Sequence, residues 1–441
     1  MSDGSFTTTA VAAATTADWV DPRAMLRDPF DTYDRLREQG SVVWVPALER
    51  YLVTGFAACR AVEADQATFS ADVGGGGATM ARALGAKPML RKDDPEHAVE
   101  RAPINPGLRA KSIRASWGPR FERNAQIHLD VLRERGPKQA ELNRDYAAPV
   151  AARNLVDVLG FREATPEQMQ RWSHAFIAGI GNLADDPEIW ARCDDAQREV
   201  DEHLDVLLPH LLRHPDTSMT SALANAGIPA AAVRANVKLT ISGGMNEPQH
   251  MITNMVWALS RHPEQRDRVL ADPSLWPVAF DEALRWLSPI GMYPRETTRA
   301  TVLDGVELPR GATLGVVIAA ANRDPAAFEA PRALRHRPLA AGAPGVRKRR
   351  SPLPRTLGRP HRCWRDRRTT GLRGSARSPD RHSSRRGVVR LGVQGPHRPP
   401  GHLGAVLTRR GRALRAGPET PRGRSQSEAG WVHPARSRRP S

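Results

Sequence analysis

Cysteine is scarce in this chain of 441 residues: there are three, Cys59, Cys193 and Cys363. They lie too far apart for a metal knuckle, and an odd number suggests no disulfide framework. A reducing cytoplasm is the expectation. Long apolar runs are lacking too. The N-terminus, MSDGSFTTTAVAAATTADW, is short of positive charge and of apolar length, so neither a signal peptide nor a membrane anchor is expected. Acidic residues are scarce in one place only. Residues 331–441 hold 28 Arg and one Lys against Asp366, Asp380, Glu419 and Glu428, a formal +25. Of the total of +17, this leaves −8 for residues 1–330, the balance of an ordinary acidic soluble enzyme.

The stretch that organises the chain is Val237 to Pro263, VKLTISGGMNEPQHMITNMVWALSRHP. Val237, Leu239, Ile241 and Met245, then Met251, Ile252, Met255, Val256 and Leu259, recur at helical spacing and predict one long buried helix. Its middle is wrong for a plain core helix. Gly243, Gly244 and Pro248 weaken helical hydrogen bonding, and Asn246 and Glu247 put polar atoms at core depth. An interruption there would make room for a ligand. A carboxylate at that depth is costly unless it is paired or used. Further on, FDEALRWLSP places Glu282 and Arg285 three apart on one helical face, where they can pair; standing alone, such a pair is an ordinary surface ion pair. Upstream, His97 and Arg101 are four apart on a helix started by Pro95, so both can point at one anion. That pattern, too, is usually surface when it stands alone.

Between Ser112 and Leu207 helix follows helix, with breaks at Gly136-Pro137, Thr165-Pro166 and Asp185-Asp186-Pro187. Val42–Val45 and Arg50–Thr54 read as a strand pair, and the stretch from Ser288 to Phe328 reads as strands with turns at Asp304-Gly305 and Arg310-Gly311. The glycine run from Gly74 reads as a flexible loop, and the Ala/Thr-rich residues 1–27 as a flexible N-terminus. The fold class is therefore mainly α with a small β region.

Taken in order, the G-G-x-x-E centre, the E-x-x-R helix, R-E-T-T and A-N-R-D-P resemble the bacterial cytochromes P450, the haem-thiolate monooxygenases. The resemblance runs over about 28–331. It implies haem b as cofactor, with His97, Arg101 and Arg295 at its propionates and Gly243 and Gly244 against it. Read without the resemblance, Arg295 is a solvated charge at a strand end. The resemblance also implies a structural ion pair between Glu282 and Arg285, and Ile290, Met292 and Tyr293 near the substrate. Electrons would come from NAD(P)H through a ferredoxin or reductase. The family's A-G-x-D/E-T centre has Asn246 at its acid position and Glu247 at its Thr position, so Glu247 and Asn246 become the candidate catalytic residues. This G-x-M-x-E-P-x-H form resembles a subgroup that demethylates methoxy-aromatics of the guaiacol type. A small aromatic substrate in the cytoplasm, with no membrane and no nucleic acid, is the resulting expectation.

After Pro331 the resemblance stops. The family's haem loop, F-x-x-G-x-H-x-C-x-G, is missing from residues 332–441, which are rich in Arg, Pro, Gly and Ser and read as a disordered basic tail. His361-Arg362-Cys363 imitates the loop, but Arg359 and Thr356 stand where its Gly and Phe belong, so the metal ligand stays unassigned and Cys363 is a poor candidate. An arginine-rich nucleic-acid-binding tail and a haem-free pseudoenzyme are the alternatives. A third pattern explains more. Shifted by one base, the codons of Ala343 through Leu353 are compatible with H-L-A-F-G-S-G-V-H-R-C, a complete haem loop. Leu334-Arg335-His336 are compatible with F-D-I, Gly392 to Leu403 with a closing strand, and Leu407-Thr408 with a stop. The sequence from about Arg332 onward is therefore expected to be out of frame.

Overall fold

The computed structural model describes residues 12–335. In chain order the helices are α1 (Pro22–Met25), α2 (Phe30–Gln39), α3 (Phe56–Ala64), α4 (Gly74–Leu84), α5 (Glu96–Arg101), α6 (Ala110–Ser112), α7 (Gly118–Gln139), α8 (Ala148–Leu159), α9 (Pro166–Ile180), α10 (Pro187–Arg213), α11 (Met219–Ala224), α12 (Ala230–Arg261), α13 (Pro263–Ala271), α14 (Trp276–Trp286) and α15 (Ile318–Ala321). The strands are β1 (Thr15–Thr16), β2 (Val42–Val45), β3 (Arg50–Val53), β4 (Phe69–Ser70), β5 (Tyr293–Thr297), β6 (Thr301–Leu303), β7 (Val306–Leu308) and β8 (Thr313–Val316).

Local chemistry sets the helix ends. Thr165 caps α9 with a reciprocal box: its Oγ1 accepts from Gln168 N at 3.1 Å, and Gln168 Oε1 accepts from Thr165 N at 2.9 Å. Asp186 caps α10 by accepting from Glu188 N at 2.9 Å. Gly136, at φ 69°, bends the end of α7 in a conformation that a side chain disfavours.

Six strands form one sheet in the order β1-β2-β3-β8-β5-β4, and β6-β7 make a separate hairpin. Strand alternation divides the sheet's core in two. Val42 opposite Val53 faces α3, against Ala58, Cys59 and Val62. Val43 opposite Leu52 faces α2, against Tyr33 and Leu36. The largest core is helical: α4, α8, α9, α10 and α12 meet around Trp172, Phe176, Leu155, Ile241 and Met245.

Four sequence expectations are corrected. First, α12 runs for 32 residues without a break through Gly243, Gly244 and Pro248. Tertiary packing on α8 and α9 outweighs the single amide donor that Pro248 removes. Second, the glycines from Gly74 open α4 instead of a loop, because burying Met80, Ala83 and Leu84 carries the turn before them into helix. Third, residues 12–27 are not loose: Thr15 and Thr16 pair with Val43 and Trp44, and Ala17 is fully buried. Fourth, Arg332–Arg335 belong to the packed chain, for Leu334 is buried and Arg335 N donates to Glu282 Oε1 at 2.9 Å. The rest of the expected tail, with Cys363 and the look-alike loop, lies outside the described residues.

Candidate active site

At the centre of α12, the two glycines do different things. A Cβ on Gly243 would lie 3.1 Å from Glu247 Oε2, so this glycine clears space for the carboxylate one turn on. A Cβ on Gly244 would lie 3.0 Å from Leu155 Cδ1 of α8. Gly244 thus serves close helix packing. Pro248 is exposed; Asn246 is half-buried beside Glu247. No ion pair neutralises Glu247 among the described residues, and burial pushes its pKa up to about 7. Near neutral pH it can hold a proton or release one.

The sign of the pH effect follows. A carboxyl with a raised folded-state pKa stabilises the fold at low pH, and that stability is lost as pH rises toward 7. Glu247→Gln should therefore unfold in urea like the parent at about pH 4 and be the more stable at about pH 8, by on the order of 2 kcal/mol once solvent reaching the side chain is allowed for. Equal stabilities at both pH values would refute the buried-acid account.

His97 and Arg101 stand on α5, four residues apart, but they are not joined to each other by a common partner. His97 Nδ1 lies 3.2 Å from Asp94 Oδ1, and Arg101 Nε donates to Asn105 Oδ1 at 3.1 Å. Burial lowers the pKa of Arg101, and no carboxylate pairs with it among the described residues. Arg295, on β5, donates to Pro294 O at 3.0 Å, and its guanidinium sits 4.6 Å from the Tyr293 ring centroid.

A residue that sequence reasoning missed is Arg91, in the turn Met89–Arg91. It is 8% exposed, and its Nε is buried with no hydrogen-bond partner. Burial, and then Arg295, pull its pKa down to about 10. In the written sequence RKDDPEH it reads as one more surface charge; only folding reveals its burial.

Two of the residues assigned to the substrate, Tyr293 and Met292, have packing partners within the sheet. The Tyr293 hydroxyl donates to Glu63 Oε1 of α3, and its ring packs on the core between α3 and the sheet. Met292 packs on the opposite sheet core. Strand alternation at β5 turns these side chains into the sheet's own packing. Ile290 is half-buried just before β5. Glu282 and Arg285 make a two-pronged pair, with Arg285 Nε to Glu282 Oε2 at 2.8 Å and Arg285 Nη2 to Oε1 at 2.7 Å.

Haem needs cationic partners for its propionates and, in a thiolate enzyme, a cysteine on the iron. The first requirement is met: Arg101 and the orphaned Arg91 are cations without carboxylate partners among the described residues, and Arg295, on which Glu63 acts, adds a third cation. The second is not met there. Cys59 donates to Val53 O inside the sheet core and its pKa is pushed up to about 12 by burial; Cys193, in the helical core, is pushed up to about 11. Neither gives a thiolate facing a pocket. Among the described residues no group of three His, Cys, Asp or Glu is arranged to hold a metal ion, and no helix is long and apolar enough to cross a membrane.

A long helix bearing an acid in a glycine-rich turn, a half-buried E-x-x-R pair and a mixed sheet holding an arginine make the architecture of a P450-type monooxygenase. No family model matches the chain. Individual proteins do. It is similar to the steroid C26-monooxygenase of Mycolicibacterium smegmatis, 27% identical over 248 residues, covering 55% of this chain and 61% of that protein. It is also similar to the pentalenic acid synthase of Streptomyces avermitilis, 29% identical over 332 residues, covering 70% and 77%. The ligand-free P450 monooxygenase TamI superposes with a TM-score of 0.61 at 26% identity, over 74% of this chain and 78% of that one. The proteins that it resembles are bacterial cytochromes P450, monooxygenases whose cofactor is haem b.

Proposed function

We propose that the protein is a cytochrome P450 monooxygenase that removes the methyl group of a small methoxy-aromatic, and that its cysteine loop is encoded one base out of frame from about Arg332. The observation that carries the first part is Glu247: a partly buried carboxyl with a pKa near neutrality, one turn beyond a glycine that makes space for it. Bound through a thiolate, haem supplies oxygen activation with electrons passed from NAD(P)H by a ferredoxin or reductase. Arg101, His97 and Arg295 would hold its propionates. Glu247, placed where relatives with the A-G-x-D/E-T centre have Thr, would hold a proton at its carboxyl and pass it on directly or through water.

Two facts support the frame proposal. Family-like sequence ends where the compatible shifted codons begin. In addition, Ile252 and Met255 are only half-buried and Val256 is exposed on the second half of α12, so apolar surface there has no cover among the described residues. Resequencing the gene across codons 325–345 tests it directly: an unchanged reading would refute the shift.

Within a frame-restored, haem-loaded enzyme, Glu247→Gln should lower the product formed per NAD(P)H consumed by roughly tenfold or more, the scale of a lost general acid. Coupling equal to the parent's would remove Glu247 from proton delivery. Asn246→Ala is the neighbouring control and should change coupling less.

A further inference from the structure

Strand alternation puts Tyr293 and Arg295, two apart on β5, on one face of the sheet. Their partners on β8, Val316 and Leu314, lie in the core with Ala58, Cys59 and Val62, so that face looks at α3. Glu63 stands one turn beyond Cys59 on α3 and brings a carboxylate there. Its Oε1 accepts from the Tyr293 hydroxyl. The ring of the same tyrosine carries the Arg295 guanidinium, 4.6 Å from its centroid. Tyr293 thus touches two groups of opposite charge whose own hydrogen bonds go elsewhere, that of Glu63 to Tyr293 and that of Arg295 to Pro294 O. No ion pair joins Glu63 and Arg295 among the described residues.

The two charges nevertheless act on each other. Burial raises the pKa of Glu63, while the Tyr293 hydrogen bond, then Arg295, then Arg60 pull it back. Arg60 is exposed and Arg295 half-buried, so the attraction to Arg295 is the less screened. Burial, and then Glu63, push the pKa of Tyr293 well up, which keeps its hydroxyl a donor. Without that donor, the carboxylate's remaining half-buried attractor is Arg295. A guanidinium fork filled by a carboxylate of its own chain is closed to a second one.

We propose that Tyr293 is a positioning residue: by donating to Glu63 it keeps that carboxylate off Arg295 and leaves the guanidinium open to a haem propionate. This rests on the function proposed above, in which Arg295 holds a propionate, and adds the two residues that keep it available.

The full-length chain, Tyr293→Phe, Glu63→Gln and the double variant are titrated with haemin and with haemin dimethyl ester, whose propionates are blocked, following tryptophan fluorescence. The ratio of the two affinities reports recognition of the propionates, because the macrocycle is common to both. The parent should prefer haemin by about tenfold or more. Tyr293→Phe keeps the ring and removes only the hydroxyl; it should cut that preference by about threefold or more. Glu63→Gln removes the competing charge and should match or exceed the parent, and the double variant should regain the parent's preference. A lost packing contact would not be rescued in this way. The proposal is overturned if Tyr293→Phe keeps the parent's preference, if the double variant stays as low as Tyr293→Phe, or if Glu63→Gln falls below the parent. Should Tyr293→Phe not fold, the sign of the Glu63→Gln effect decides alone. A parent without any preference would remove Arg295 from the propionates and the proposal with it. Failure of the monooxygenase reading would show separately, as a frame-restored protein that gives no thiolate-haem spectrum.

Discussion

A gene corrected by one base near codon 332 should yield a protein with the carbon-monoxide difference spectrum of thiolate-ligated haem, and the chain as written should not. The contrast is expected to be all or none. The described arginines can attract propionates, but an iron–thiolate bond needs a cysteine that is deprotonated and faces the pocket. Cys59 and Cys193 fail on both counts, each buried in a core with its pKa raised. A thiolate-type band from the chain as written would mean that a cysteine such as Cys363 ligates iron, and the frame proposal would fall. Haem content per chain, measured beside the spectrum, separates loss of the ligand from loss of the fold.

Breaking the Glu282–Arg285 pair should have the second-largest effect. The side chains are 12% and 15% exposed, so neither charge is well hydrated. Arg285 does more than pair: it donates to Asn322 O at 2.8 Å, Pro331 O at 2.9 Å and Ala333 O at 3.0 Å, while Glu282 accepts from Arg335 N. Together they tie α14 to the end of the described chain. Glu282→Ala leaves an uncompensated, mostly buried guanidinium and should cost roughly 3–5 kcal/mol in urea unfolding. Arg285→Ala should cost more, since three carbonyls lose their donor as well. The double variant should come close to Arg285→Ala alone, because partners in one network are not additive. If Glu282→Ala unfolds at the parent's midpoint, the pair is solvated in solution and its structural role is wrong.

Much of the architecture was legible in local patterns. Apolar spacing placed α12, the Glu282 and Arg285 spacing placed α14, the Thr165 and Asp186 caps coincided with the breaks read before α9 and α10, and the strand pair β2 and β3 was read in place. Where reading failed, a local preference was outweighed by packing. Gly243, Gly244 and Pro248 disfavour helix one residue at a time, yet α12 is held along one side by Leu155 and its neighbours. The Gly74 run favours coil, yet the buried face of Met80, Ala83 and Leu84 extends helix through it.

The sequence by itself determined most of the long helices, the β2–β3 pair, the α-rich class and the position of an acid in the middle of the longest helix, because periodicity and spacing are written along one dimension. Only the tertiary structure decided which charges are indoors. Burial depends on what distant segments cover, and it separates Lys92, neutralised by Glu100, from Arg91, left without a counter-charge one residue away. It also turned Tyr293 toward Glu63 and lifted Glu247 toward neutrality, because desolvation acts through surroundings that no local pattern records.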